Sequence, residues 1–142
     1  MKIVIASDHG GIKLKSAIVE ALVQKGVDIT DFGPDSDESV DYPDYARPVA
    51  EKVADGVFDR GILICGTGIG MSIAANKVKG IRCALVHDSF SAKATRQHNN
   101  SNMLAMGERV IGSGLANDIV DIWLNTEYEG GRHERRVCKI EE

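Results

Sequence analysis

Apolar positions along the chain fall into two alternating rhythms. Short apolar runs (Lys2–Ser7 and residues 27–31, 61–65, 81–86 and 102–106) are each followed within two residues by Gly or Asp. A segment whose apolar residues recur at helical spacing then follows. This succession predicts a βαβα order. Ile18, Ala21 and Leu22 mark the buried face of a first helix that ends at Gly26. A loop rich in Gly, Pro, Asp and Ser (33–41) precedes a helix over 42–54. There Pro43 suits the first turn, and Pro48 predicts a kink or a late start. Shorter helices are predicted over 72–77 and 89–98, and a last one over 115–124 turns Leu115, Ile119, Ile122 and Trp123 inward. The runs 61–65, 81–86 and 102–106 are too continuously apolar to leave one face wet, which predicts a parallel sheet with helices on both sides. Residues 126–142 are polar and split by glycines, so they read as a C-terminal arm.

The predicted fold class is therefore α/β: a single-domain three-layer α/β/α sandwich on a five-stranded parallel sheet, Rossmann-like, spanning residues 1–142. The composition agrees, since 142 residues that are 43% hydrophobic and 27% charged suffice for one soluble core without disulfides or a structural metal. A formal charge of −4 argues against nucleic acid and against a membrane surface as partners. No apolar run approaches the roughly 20 residues that span a bilayer, and the opening run is too short for a signal peptide, so a cytoplasmic location is expected. Three cysteines (Cys65, Cys83 and Cys138) without CxxC or Cys/His spacing predict neither a disulfide framework nor a zinc site.

Open α/β sheets bind ligands at the carboxyl ends of their strands, and that is where the polar motifs fall. Asp8-His9-Gly10-Gly11 follows the first strand, His87-Asp88 the fourth and Gly107-Glu108-Arg109 the fifth. After the third comes Cys65-Gly66-Thr67-Gly68-Ile69-Gly70, a thiol followed by glycines whose N–H groups can converge ahead of a helix. Such a turn suits an anion, and its donors favour a thiolate that can act as nucleophile or base. It equally suits a tight strand–helix connection with a buried cysteine. A Walker A loop is excluded because no Gly-Lys-Ser/Thr closes it. The dinucleotide fingerprint and the Cys-x5-Arg phosphatase loop both fail at Met71.

The other candidates each carry a plainer reading. Asp8-His9 places a carboxylate and an imidazole at a strand end, although Asp is also a common cap. Cys83 and Cys138 read as structural, and His87 and His133 as polar positions near the surface. His98 and Asn99 precede the fifth strand, at the amino ends of the strands and roughly 15 Å from their own Cys65. They can share a site with it only across a subunit boundary. Otherwise His98 simply favours a helix C-terminus. Arg132, Arg135 and Arg136 share one face if the tail is helical and suit a phosphate. Balanced by Glu134, Glu141 and Glu142, they equally form a solvated charge run.

Taken together, Ser7-Asp8-His9-Gly10-Gly11, Asp41-Tyr42-Pro43, Ile64-Cys65-Gly66-Thr67-Gly68-Ile69-Gly70, Ser72-Ile73-Ala74-Ala75-Asn76-Lys77, Arg96-Gln97-His98-Asn99 and Tyr128-Glu129-Gly130-Gly131-Arg132-His133 resemble the ribose-5-phosphate isomerase type B family over nearly the whole chain. The resemblance implies an aldose–ketose isomerase of ribose and ribulose 5-phosphates with no metal and no organic cofactor. It implies Cys65 as the base between C2 and C1, the Thr67 hydroxyl assisting, and the amides of Gly66, Thr67, Gly68, Ile69 and Gly70 holding the enediolate. It further implies His98 as ring-opening acid/base with Asp8 as its partner across the boundary, and Tyr42 and Asn99 as substrate contacts. His9, Arg109, Arg132 and Arg136 match phosphate-binding positions, whereas Arg135 matches none. A homodimer with shared sites is implied, and a tetramer is compatible. Some relatives carry a glutamate base instead of the cysteine. The galactose-6-phosphate enzymes divide these residues between two chains, so the full set here favours the ribose enzyme and leaves allose 6-phosphate as the alternative, with a non-catalytic sugar-phosphate-binding domain behind both.

Overall fold

The computed structural model describes residues 1–142. Five strands, β1 (Lys2–Ser7), β2 (Asp28–Asp31), β3 (Arg60–Cys65), β4 (Cys83–Leu85) and β5 (Met103–Gly107), form one parallel sheet in the order β2-β1-β3-β5-β4. Six helices surround it: α1 (Ile12–Gln24), α2 (Pro43–Ala54), α3 (Ile69–Ala75), α4 (Ser89–Asn99), α5 (Ser113–Asn125) and α6 (Arg132–Glu141). None is long and apolar enough to cross a membrane.

Alternation along the central strands divides the interior into two cores, because successive side chains leave opposite faces of a sheet. Ile3, Ile5, Ile62, Ile64, Leu104 and Met106 face α1, α4 and α5, where Ile18, Ala92 and Trp123 are fully buried. Val4, Ala6, Leu63, Cys65, Met103 and Ala105 face α2 and α3, against Val49, Ala50, Met71 and Ala75. Cys65 is thus the last residue of a buried strand, fixed from below by packing. The Trp123 indole N–H, which needs a partner once buried, donates to Ser101 Oγ at 2.9 Å.

α3 begins at Ile69 and not at residue 72, and Leu115 of α5 is exposed and not turned inward. Three further elements depart from the sequence reading. α2 begins at Pro43 and runs through Pro48 without interruption. The carbonyl that loses its partner there belongs to the exposed Asp44 and is open to water. β4 is only three residues long and lies at the sheet edge, with Leu85 half-exposed, so the apolar run 81–86 overstates it. The tail is not a loose arm: α6 buries His133 and Val137, one turn apart, and docks on α4. Arg82 fastens both helix ends, pairing with Glu141 while its guanidinium donates to the carbonyls of Asn99 and Asn100 at 3.0 Å each.

Candidate active site

The parallel register brings the carboxyl ends of β1, β3 and β5 side by side, with Ser7 opposite Ile64 and Cys65 opposite Gly107. Asp8 continues from β1, donates its own N–H to Ile64 O at 3.1 Å and accepts the Gly10 N–H at 2.8 Å. This bond caps a single 3-10 turn, His9–Gly11, that leads into α1. A Cβ at Gly10 would stand 3.3 Å from Gly66 N, so this glycine lets the turns after β1 and β3 touch. His9 Nδ1 accepts the Val40 N–H at 3.1 Å, which anchors the 33–41 loop beside the turn and assigns the neutral ring's proton to Nε2.

After β3 the chain coils tightly around the thiol. The Gly68 N–H points at Cys65 Sγ, 3.0 Å away, and the Ile69 N–H is accepted by Thr67 Oγ1 at 3.2 Å. Gly68 has φ +78°, and a Cβ there would meet Leu85 Cδ1 and the Met106 carbonyl carbon at 2.8 Å. No other residue fits that place without moving β5. The Arg109 guanidinium lies against Gly66, 3.3 Å from where its Cβ would be, while the Arg109 N–H donates to Gly66 O at 3.0 Å. The Tyr42 ring covers Gly70, since a Cβ at Gly70 would stand 2.6 Å from it. One edge of the sheet therefore gathers Asp8, His9, Tyr42, the 65–70 turn and Arg109. Thiol, backbone donors, imidazole and guanidinium together suit an anionic substrate that yields a proton.

His87 is a second-row member of this edge and not the surface position expected from its neighbours. Its Nε2 accepts the Gly107 N–H at 2.9 Å, directly behind Thr67. Burial lowers its pKa from the usual 6.5, and Asp88 opposes the shift only partly. A histidine held neutral by the fold contributes stability above its unfolded value and loses it as pH falls through the lower folded value. Urea unfolding followed from about pH 7.5 to about pH 5 should show native protein losing stability through that window. His87→Gln, which keeps an acceptor, should lose visibly less. Parallel pH profiles would remove His87 as the titrating group.

The remaining candidates sit at the opposite ends of the strands. Arg82, bonded to the end of α4, immediately precedes β4; Cys83 pairs with Met103, and Met103 with Gly61. Gly61 lies four residues before Cys65, about 13 Å along the strand. His98 and Asn99 are thus separated from their own Cys65. The His98 ring stacks on His133 with centroids 4.4 Å apart and planes inclined by 17°. His133 corrects a second expectation, because its side chain is only 9% exposed. Burial first, then His98 and Arg132, lower its pKa, and Arg136 acts in the same direction. Arg132 and Arg136 stand one turn apart at the start of α6, on this same side. The stripe His133-x3-Val137 is the one signal in the tail that points to helix α6, and the reading of these residues as an arm passes over it.

The sequence pattern of the ribose/galactose isomerase family matches residues 3–140. Ribose-5-phosphate isomerase B of Escherichia coli strain K12 is 54% identical, over 98% of this chain and 93% of its own. The structure of ribose-5-phosphate isomerase B from Clostridium thermocellum superposes with a TM-score of 0.98 at 57% identity, covering 99% of this chain and 95% of that one. The Mycoplasma genitalium ribose-5-phosphate isomerase B, solved with bound ribulose 5-phosphate, superposes with a TM-score of 0.95 at 47% identity, covering 99% and 93%.

Proposed function

Since this chain belongs to the ribose/galactose isomerase family of enzymes, we propose that it interconverts D-ribose 5-phosphate and D-ribulose 5-phosphate, with Cys65 as the base. The observation that carries the reading is the thiol at the end of β3, met by the Gly68 N–H at 3.0 Å inside a turn of converging amides. In the open-chain aldose, Cys65 takes the proton from C2, leaving an enediolate over C1 and C2. The hydroxyl proton passes from O2 to O1 with the Thr67 hydroxyl at hand, and Cys65 returns its proton to C1. Backbone donors of residues 66–70 stabilise the developing oxyanion, an effect worth about 3–4 kcal/mol per well-placed donor. The sequence of steps is redox-neutral within the substrate and consumes no cofactor.

The cyclic sugar must first open. We assign this to His98 of the partner subunit, which takes the anomeric hydroxyl proton and protonates the ring oxygen, with Asp8 facing it. His9 and Arg109 of one chain and Arg132 and Arg136 of its partner clamp the phosphate, Arg in each case offering a planar fork of donors. Tyr42 and Asn99 border the sugar. The separation of His98 from its own Cys65 supports a homodimer in which each site draws on both chains.

Three experiments test this reading. His98→Asn should lose activity on the cyclic substrate far more than on open-chain sugar, and equal loss on both would defeat the ring-opening role. Cys65→Ala and His98→Asn proteins, each deficient alone on the cyclic sugar, should regain that activity when refolded together, because every mixed dimer contains one site free of both lesions. No rescue in verified mixed dimers would remove the shared site. Turnover of ribose 5-phosphate beside allose 6-phosphate decides between the pentose and hexose substrates, and binding of both without turnover would indicate a sensor.

A further inference from the structure

The pairing of α4 with α6 sets beside His98 two donor side chains, Glu129 and His133, for which the isomerisation has no use. The Glu129 N–H donates to Gln97 O at 3.1 Å, which pins the segment before α6 onto the end of α4 and sets Glu129 beside His98. Two left-handed glycines, Gly130 and Gly131 with φ +64° and +55°, then turn the chain so that His133 returns over the His98 ring. One nitrogen or oxygen from each of His98, Glu129 and His133 lies within 4.8 Å of the others. His133 Nε2 is buried and has no hydrogen-bond partner, and Glu129 Oε2 stands 3.5 Å from it, beyond a good hydrogen bond. A buried, unpartnered imidazole nitrogen costs free energy unless something supplies the missing bond.

We propose that His98, Glu129 and His133 form a binding site for a zinc-class divalent cation, and that its occupation switches the enzyme off. The donor set suits this class: two imidazole nitrogens and one carboxylate oxygen are the ligands of open zinc sites, which leave a fourth position to water. Two donors held about 2.1 Å from one tetrahedral ion stand about 3.4 Å apart, close to the observed separation of His133 Nε2 and Glu129 Oε2. His98, already stacked on His133, closes the third position by a small rotation of its ring. Arg132 and Arg136 nearby oppose a cation, so the ion binds reversibly and not as a permanent structural element. The bound ion holds the lone pair with which His98 would open the sugar ring.

Binding by itself is independent of the isomerase reading, whereas the inhibition rests on it, and the test separates the two. Protein stripped with a chelator is titrated with Co2+, whose visible absorption reports tetrahedral nitrogen/oxygen ligation, and separately with Zn2+ by calorimetry. One ion per chain is expected, with affinity at least ten-fold weaker in His133→Asn and several-fold weaker in Glu129→Gln; Glu129 is exposed, so that variant keeps the proposal testable if the buried one misfolds. Zn2+ should inhibit turnover of cyclic ribose 5-phosphate, reversibly on chelation, and spare the open-chain sugar. The proposal is overturned by absence of stoichiometric binding at a several-fold excess of metal. It is overturned equally by affinities unchanged in both variants, or by a thiolate-to-cobalt charge-transfer band that locates the ion on a cysteine. Stoichiometric, variant-sensitive binding without any isomerase activity would establish the site and remove the function proposed above.

Discussion

Cys65→Ala is expected to lower ketose formation from ribose 5-phosphate by about a thousand-fold or more, with substrate affinity changed by no more than a few-fold. A positioned proton-transfer group contributes about 10²–10⁴ in rate, and here one sulfur handles both the removal at C2 and the delivery at C1, so its loss falls at the upper end. The phosphate contacts and the amides of residues 66–70 remain, which is why binding should survive. Cys65→Ser makes the comparison sharper. It preserves shape and an acceptor for the Gly68 N–H, yet a hydroxyl is a far weaker acid than a thiol and supplies no anionic base near neutral pH, so it too should be nearly inactive. Steady-state kinetics with a direct binding measurement check both variants, and near-native turnover by either would exclude the sulfur from the chemistry. Folding is not at issue, because the lost contacts of a single buried sulfur cost about 1 kcal/mol.

Gly68→Ala carries the largest expected effect on stability. The new methyl needs a left-handed backbone that costs an L-residue about 1–2 kcal/mol. It also enters space held by Leu85 Cδ1 and by the Met106 carbonyl carbon, both 2.8 Å away, and the second is strand backbone that cannot step aside. Overpacking of that kind adds about 1–3 kcal/mol. A combined loss of about 2–5 kcal/mol corresponds to a Tm lower by roughly 10 °C or more for a chain of this size. The relief available to the turn is to swing away from β5, which withdraws the Gly68 N–H from Cys65 Sγ and reduces activity with stability. Gly114→Ala is the control: a Cβ there meets nothing within 4 Å, it lies inside helix α5, and alanine in that setting is neutral or stabilising. Equal melting temperatures for the two variants would refute the steric account of Gly68.

Much of the fold was legible because its signals are local. Continuous apolar runs with glycine or a small polar residue behind them announced buried parallel strands and the turns at their carboxyl ends. The Cys65–Gly70 turn was visible as the one place where three glycines follow a strand. Misreadings arose where a contact from elsewhere in the chain decided the outcome. The run 81–86 looks like a central strand, yet half of it stays outside the ladder because β4 sits at the sheet edge. His87 looks like a surface residue until Gly107, twenty positions later, donates to it. His133 sits in a polar tail whose helix buries it only because α4 is waiting beneath.

The sequence by itself determined that this is a parallel α/β domain, which strand ends carry a thiol, an imidazole and a guanidinium, and that His98 lies at the far side from Cys65. These follow from periodicity and from alternation of strand and helix, which act over a few residues at a time. Only the tertiary structure decided that β5 inserts between β3 and β4, and that the tail folds into α6 to stack His133 on His98. It alone brought Arg109 over Gly66 and Tyr42 over Gly70. Those arrangements depend on which surfaces bury the most apolar area against one another and on buried polar atoms finding partners, and both are settled between residues far apart in the chain.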